Sequence, residues 1–447
     1  MIQETTAGRD ATADAGGDAR TTLFPDAGSI ETVLIFMRKL LFAVLLFQAV
    51  NAFGQTVSAE ISSDPLPAAL STSFAVPAIA MARDRTGVAI AWAGDGRISV
   101  VRLDATGHFT GPVRSIQATS SADPVAGAAP SLAAAPGGDG FILTWVQLHL
   151  VNVALKEGAF CRLDSALNPS APALLPLAPP VSSPPIARSG KTTTWITEDR
   201  MAWRIRSDGS LDSPLYAGVA ATDMAVANDF PQMISSNTVR NASFICNAAQ
   251  SGCTNSSREA GWTCTESCRL YSSTYEIQFV SLYDIVTSYT FRFDSQSVPA
   301  IRSDGRDVLA SWFVGDEAKG GWVAAAHLDP ARFIDFARVI PAFLVIGSVG
   351  PDSGPTRPDI ASDGERYVVV WRTATANGSH DIAGASIDRA GTVIPFSIAT
   401  SPDDERDPSV VAIGNGRFLV AYDKLSNGER RIAGRFVTFE NRTRAVR

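Results

Sequence analysis

The side chains best suited to chemistry in this 447-residue chain are acids, aromatics and a histidine that lie at the ends of apolar segments. Carboxylates can coordinate a cation, bind sugar hydroxyls, or act in pairs as general acid and base. Charged side chains in loops also keep a protein soluble, so they define only a candidate ligand face. That face comprises Trp262, Asp199, Asp316, His380 and Asp423.

No motif in the sequence identifies a reaction. The four histidines have neither an HExxH partner nor a Cys/His metal spacing, and the chain lacks a GxSxG nucleophile elbow and a phosphate-binding glycine loop. We therefore assign no catalytic, cofactor-binding or metal-binding residue, and the pattern favours a protein that is not an enzyme. Calcium at the acidic face is the one cofactor left open.

Four of the five cysteines crowd together: Cys246, Cys253, Cys264 and Cys268. In an oxidising compartment such a cluster favours disulfides, and four cysteines allow three pairings. A zinc site is disfavoured because no CxxC pair occurs. The fifth cysteine, Cys161, is expected to be a buried small hydrophobe.

An export signal stands near the N-terminus. Met37-Arg38-Lys39 precedes an apolar run, Leu40–Val50, and small residues follow it. This pattern predicts a signal peptide over 37–54, too short in its apolar core to leave a stable membrane span, so we expect a secreted or periplasmic protein. Residues 1–36 are then a misassigned upstream start or a disordered extension. The alternative is a genuine extension with Leu40–Val50 as an anchor.

Charge argues against a nucleic-acid partner. The formal net charge is −7, and the basic residues are scattered along the chain. Nucleic-acid surfaces need clustered Lys and Arg, so we expect none here.

The elements that position these residues are set by a cassette of about fifty residues that occurs seven times, a sign of a stacked repeat architecture. In the clearest copy, Ser362-Asp363-Gly364 is a turn and Tyr367–Trp371 is a strand buried on both faces. Ile382–Ile387 and Val393–Ala399 are further strands. Equivalent copies start near residues 77, 130, 184, 231, 299, 358 and 408.

Four short antiparallel strands per copy make one blade of a β-propeller. We predict an all-β fold over 55–447, a single seven-bladed propeller, monomeric, with a Cys-rich insert at 245–270. The last copy lacks its fourth strand, and the segment near Val57–Ser73 can supply it and close the ring. The alternatives are an open array or two β-sandwich domains.

The copies resemble a group of secreted bacterial propeller-repeat proteins, with the pattern P-x-I/V-A-x-D/N-G-x-x-Y/F-L/V-V-x-W followed by I-x-G-A-x-I-D-x-x-G. Pro358–Gly391 matches it closely. The resemblance implies an architecture and carries no functional residue. The favoured function is a binding or scaffold module for a protein or an extracellular glycan. The alternatives are a glycan hydrolase using carboxylates of the ligand face, and a purely structural protein.

Overall fold

The computed structural model describes most strands and turns of the compact unit Gly54–Arg447. The described residues are 55–63, 79–94, 96–104, 106–116, 125–149, 156–176, 184–216, 223–227, 229–239, 244–245, 253–255, 262–264, 269–270, 274–281, 287–293, 299–305, 307–316, 319–328, 343–353 and 356–440.

These residues form seven antiparallel sheets of four or five strands, and no helix occurs among them. Strands β1 (Gln55–Val57) and β2 (Ile61–Ser62) come first. Sheet 1 contains β3 (Ile79–Arg83), β4 (Val88–Gly94), β5 (Arg97–Leu103) and β6 (Phe109–Ile116). Sheet 2 contains β7 (Val125–Ala134), β8 (Phe141–His149), β9 (Lys156–Leu163) and β10 (Ala173–Leu174). Sheet 3 contains β11 (Ile186–Ser189), β12 (Thr194–Glu198), β13 (Met201–Ile205) and β14 (Leu215–Tyr216).

Sheet 4 is interrupted by an insertion. It begins with β15 (Asp223–Ala227) and β16 (Phe230–Val239). The insertion holds two small hairpins made of β17 (Phe244–Ile245), β18 (Cys253–Asn255), β19 (Trp262–Cys264) and β20 (Arg269–Leu270), with β17 paired to β20 and β18 to β19. Sheet 4 then continues with β21 (Thr274–Ser281) and β22 (Thr287–Phe293).

The last three sheets follow the same order. Sheet 5 contains β23 (Ala300–Ser303), β24 (Val308–Asp316), β25 (Gly320–Leu328) and β26 (Leu344–Val349). Sheet 6 contains β27 (Asp359–Ser362), β28 (Arg366–Ala374), β29 (His380–Asp388) and β30 (Val393–Ala399). Sheet 7 contains β31 (Asp404–Gly414), β32 (Arg417–Ser426) and β33 (Glu429–Phe439), and both β1 and β2 pair with β33.

Apolar cores lie between consecutive sheets. Trp371 on β28 illustrates the packing: its ring lies against Gly347 on the outer strand of sheet 5, where an added Cβ would overlap it, and its indole nitrogen donates to the Ser348 carbonyl at 3.2 Å. Trp195 likewise reaches from sheet 3 to sheet 4, donating to the Asp229 carbonyl at 3.1 Å. One further cluster joins sheet 7 to sheet 1, with Leu419 among its members. The arrangement is therefore propeller-like.

The predicted turns are present, and aspartate side chains stabilise them by accepting hydrogen bonds from backbone amides. Asp363 Oδ1 accepts hydrogen bonds from the backbone amides of Glu365 and Arg366, both at 2.9 Å, and Gly364 adopts a φ of 91° that glycine tolerates. At the end of the third strand, Asp388 Oδ1 accepts from the amides of Ala390 at 2.9 Å and Thr392 at 2.8 Å. Both aspartates serve the backbone of their turns.

Sheet 4 departs from the expected repeat. The sequence placed the start of this copy near Pro231, but Pro231 lies in the second strand, β16, and the first strand is Asp223–Ala227. The turn between them uses Asp229, with φ 64°, in place of the usual Asp-Gly pair. Phe244, which follows Pro231 at the same distance as Trp371 follows Pro358, lies in a small hairpin of the insertion and not at the end of the second strand.

Candidate functional site

An axial cavity of about 610 Å³ lies among the innermost strands. Its wall consists mainly of β3, β7, β11, β23, β27 and β31 with the residues just before them, together with Arg372 of β28. Most of the wall is small or apolar. The charged lining residues are Arg83, Arg188, Arg302, Arg357, Arg372, Asp359 and Asp407.

Three of these arginines surround one buried aspartate, Asp223, at the start of β15. Arg188 donates from Nη2 to Asp223 Oδ1 at 2.8 Å, and Arg302 donates from Nη1 to Oδ2 at 2.6 Å. Arg357 Nη2 lies 3.8 Å from the same Oδ2. Arg302 also donates to Asp359 Oδ1 at 2.7 Å. The cluster links sheets 3, 4, 5 and 6.

The two aspartates also bind the backbone of the next sheet. Asp223 Oδ2 accepts from the Ile301 amide at 3.2 Å, and Asp359 Oδ2 accepts from the Val410 amide at 2.9 Å. Between sheets 2 and 3 the same position is neutral: Ser131 Oγ accepts from the Ala187 amide at 3.1 Å. A polar side chain near the start of an inner strand thus bridges neighbouring sheets.

The charges in the cluster shift one another's ionisation. Burial by itself would raise the pKa of Asp223, but Arg188 and Arg302 outweigh it and hold that pKa far below its usual range. Burial, together with repulsion from Arg302, lowers the pKa of Arg188 to about 10. Asp223 is therefore ionised at neutral pH, and the arginines repel one another.

His380 and Asp423, both expected in loops, lie within strands of the neighbouring sheets 6 and 7. β29 begins at His380 and β32 extends beyond Tyr422, because these strands continue for several polar residues past their apolar runs. His380 Nδ1 lies 2.7 Å from Asp404 Oδ1, and Arg406 pairs with Asp404 at 2.6 Å. Arg406 is the cross-strand neighbour of Asp423.

Glu405, on β31, is a buried acid, and Asp423, on β32, is partly buried. Arg430 donates to Asp423 Oδ2 at 2.6 Å, and Ser401 donates to Glu405 Oε1. The remaining oxygen of each acid, Asp423 Oδ1 and Glu405 Oε2, has no hydrogen-bond partner among the described residues. Burial raises the pKa of both carboxyls above the ordinary values.

Asp199 occupies the turn between β12 and β13, as expected, with a φ of 50°. Its neighbour Glu198 is buried, and neither carboxyl oxygen has a hydrogen-bond partner in the described part of the chain. Burial, and then the charges of Asp199 and Glu157, raise the pKa of Glu198 to about 8. Glu157 itself pairs with His149 at 2.8 Å.

The remaining predicted residues are placed only in part. Asp316 is the last residue of β24 and Trp262 the first of β19. Cys253 faces Cys264 in the backbone register of β18 and β19. Cys246 and Cys268 lie outside the described residues. Cys161 is buried, as predicted, and burial raises the pKa of its thiol to about 12.

The structure thus places His380 and Asp423 on the neighbouring sheets 6 and 7, while Asp199 belongs to sheet 3 and Asp316 to sheet 5. Sequence reasoning missed the axial arginines and Glu198. One signal was present: Ala187-Arg188-Ser189 and Ile301-Arg302-Ser303 place arginine before serine at equivalent points of two inner strands.

The described residues contain neither a metal-ligand cluster nor a membrane-spanning helix. No group of three or more His, Cys, Asp or Glu side chains there is arranged to hold a metal ion. No helix long and apolar enough to cross a membrane occurs in this part of the chain.

No protein-family model and no curated protein matches the sequence. Solved structures with similar folds include a protein of unknown function from Dyadobacter fermentans, with 12% identity over 87% of this chain and 100% of that chain and a TM-score of 0.44. The β-propeller domain of the Trilobed protease from Pyrococcus furiosus has 10% identity over 80% and 94%, with a TM-score of 0.42. A mutant Trypanosoma rangeli sialidase has 9% identity over 86% and 59%, with a TM-score of 0.41. These likenesses concern the fold alone.

Proposed function

We propose that this protein is an exported, monomeric, seven-bladed β-propeller that binds a protein or an extracellular glycan at one end of its axis. The observation that carries the proposal is the axial cavity, whose volume of about 610 Å³ falls in the range of small-ligand pockets. A cavity of this size favours a small molecule, or the end of a longer chain, as the bound group.

Seven blades closed by the N-terminal strand account best for the sheet arrangement. Seven apolar clusters each join one sheet to the next, including sheet 7 to sheet 1. Gln55–Val57 pairs with β33 and gives sheet 7 its outer strand. Tyr422 and Lys424 add contacts to Glu60, at 2.7 and 2.8 Å, which fasten this segment. A closed ring leaves few free edges for association.

Export and disulfides are the second part of the proposal. The apolar run Leu40–Val50 supports a signal peptide over 37–54 and a secreted or periplasmic location. In the segment 245–270, the register opposite Cys264 favours a bond from Cys253, because directly opposed residues on antiparallel strands meet the spacing that a disulfide needs. Cys246 and Cys268 would then form the second bond.

Binding is favoured over hydrolysis because the cavity wall is cationic. Paired-carboxylate hydrolysis needs two acids that converge on the substrate. The acids in the wall are Asp359 and Asp407, and Asp359 already accepts bonds from Arg302 and Val410.

A glycan hydrolase is the alternative function, because burial raises the pKa of the Glu405 and Asp423 carboxyls above the ordinary values, the direction that a general acid needs. If it is correct, Asp423→Asn abolishes a measurable glycosidase activity at unchanged ligand affinity. A purely structural role predicts no ligand at all.

The test is a thermal-shift screen of the purified protein against a glycan panel and calcium. We expect one ligand class to raise the melting temperature, and Ala80→Phe, which places a ring in the cavity wall, to abolish that shift. Val113→Phe on the exposed strand β6 is the matched control. A shift that survives Ala80→Phe would place the site elsewhere. Trp262→Ala, run in parallel, tests whether the insertion contributes to binding.

A further inference from the structure

The axial cavity has the opposite charge to the chain as a whole. The protein carries a formal net charge of −7, yet five arginines line the cavity against Asp359 and Asp407. Adding Asp223 behind the wall still leaves an excess of two positive charges. Such a concentration in a confined, partly desolvated space attracts anions more strongly than the same charges on an open surface.

The buried cluster presents its positive groups to the cavity. Asp223 is 0% exposed, whereas the side chains of Arg188, Arg302 and Arg357 keep 17%, 19% and 14% of their surface accessible. All three arginines line the cavity, and Asp223 does not. A ligand in the cavity therefore meets guanidinium edges, with the neutralising carboxylate behind them.

The arginines retain capacity for a further acceptor. Arg188 uses Nη1 for Ser131 Oγ at 2.9 Å and for the Ala187 carbonyl at 2.8 Å, whereas its Nη2, which carries two hydrogens, donates to Asp223 Oδ1 alone among the described residues. The lowered pKa of Arg188 reflects burial and repulsion from Arg302. An added anion would relieve that repulsion.

The planar guanidinium fork suits an oxyanion with two oxygens in one plane. Arginine binds carboxylates and phosphates through two parallel N–H···O bonds, which a lysine cannot reproduce, and the carboxylate is the one of these that a sugar ring carries as part of its own skeleton. The cavity volume of about 610 Å³ is large enough for a sugar ring.

We propose that the axial cavity binds a carboxylate-bearing sugar, or the carboxylate-bearing end of an acidic glycan, through Arg188, Arg302 and Arg357. This inference rests on the proposed binding function and names the chemistry of its ligand. In this inference the carboxylate contributes most of the affinity, and the rest of the sugar ring contributes less.

The experiment compares ligands that differ only at that group. Galacturonate and galactose, glucuronate and glucose, and trigalacturonate and the matching neutral trigalactoside are titrated into the purified protein by calorimetry. We expect at least one acidic member to bind with a Kd of about 1 mM or below, at least tenfold more tightly than its neutral counterpart. Sodium chloride should weaken that binding, because screening acts on the charge pair.

Two variants test the residues. Arg357→Gln removes the arginine farthest from Asp223, so Asp223 keeps Arg188 and Arg302 as partners. We expect affinity for the acidic ligand to fall about tenfold or more, since a charge-assisted hydrogen bond is lost. Arg206→Gln, in an exposed pair with Asp212, is the matched control.

The outcomes separate the two proposals. If acidic and neutral sugars bind equally, or if only neutral glycans bind in the cavity, the carboxylate inference is wrong while the binding function stands. If no acidic sugar binds more tightly than its neutral counterpart, and no ligand of the glycan panel loses its binding in the Ala80→Phe variant, both the carboxylate inference and the proposed binding function are wrong. The salt dependence of wild-type binding is informative even if Arg357→Gln fails to fold.

Discussion

Two buried carboxylates in this molecule have opposite surroundings. Asp223, at the start of β15, is 0% exposed, and Glu198, at the end of β12, is 1% exposed. Asp223 accepts hydrogen bonds from Arg188, Arg302 and the backbone amides of Met224 and Ile301. Neither carboxyl oxygen of Glu198 has a partner among the described residues.

The difference shows that burial does not by itself decide whether an acid is charged. Burial penalises the charged form of both groups. At Asp223 the arginines reverse that effect and hold the pKa well below its usual range, whereas at Glu198 the neighbouring acids add to it and the pKa rises to about 8. The axial cluster is therefore a fixed array of charges, whereas the carboxyl of Glu198, at the end of β12, is mostly protonated at neutral pH.

Removing the axial carboxylate should have the largest effect. Asp223→Asn leaves Arg188, Arg302 and Arg357 buried without their central anion, and breaking one partner of a buried ion pair costs about 3–5 kcal/mol. We expect the free energy of unfolding, measured in urea, to fall by that amount. Asp212→Asn, in an exposed pair with Arg206, should cost less than about 1 kcal/mol. Equal losses in the two variants would contradict the assigned role of Asp223.

Glu198 should give the next largest effect, and one that depends on pH. Its pKa is about 8 in the folded protein against an ordinary value of 4.5. Between these values the folded chain binds a proton that the unfolded chain has released, so stability falls as pH rises from about 4.5 to 8. Glu198→Gln removes this dependence. At pH 8.5 we expect the variant to be more stable than the wild type by roughly 2–4 kcal/mol.

The measurement is urea unfolding of both proteins at pH 5.0 and 8.5. At pH 5.0, near the start of the titration range, their stabilities should agree to within about 1 kcal/mol. Asp223 cannot mimic the effect, because its stabilisation is present above its ordinary pKa of 3.8 and is lost only in stronger acid. Parallel pH curves for wild type and variant would show that Glu198 is ionised or solvated in the fold.

The same contrast explains what the sequence could predict. The strand Tyr367–Trp371 is predictable because every residue in it is apolar and buried. The turn at Asp363 and Gly364 is predictable because the aspartate side chain bonds to nearby backbone and the glycine adopts a positive φ. These signals lie within a few residues of their effect. They were enough for the all-β class, the four-stranded sheets of most copies and the buried run Tyr367–Trp371.

The site depended on contacts between distant copies. Arg188 lies 35 residues from Asp223, and Arg302 lies 79 residues from it. No local pattern marks Asp223, since the Asp-Gly turn and the leading proline are both absent from that copy. His380 and Asp423 were expected in loops because the apolar runs stop before them, yet hydrogen bonding carries β29 and β32 through polar residues. The periodicity of apolar residues does not predict that a strand continues into a polar segment.

Ser131 gives the smallest effect and the sharpest comparison with Asp223, because it occupies the same kind of bridge without a charge. Its hydroxyl oxygen accepts from the Ala187 amide at 3.1 Å and from Arg188 Nη1 at 2.9 Å. Ser131→Ala should lower the free energy of unfolding by about 1 kcal/mol, the usual net contribution of a hydrogen bond, because Arg188 Nη1 keeps the Ala187 carbonyl as an acceptor. A loss as large as that of Asp223→Asn would mean that bridging the inner strands, and not neutralising the arginines, is what makes these positions important. A loss near 1 kcal/mol, combined with a large effect at Asp223, would assign the difference to charge.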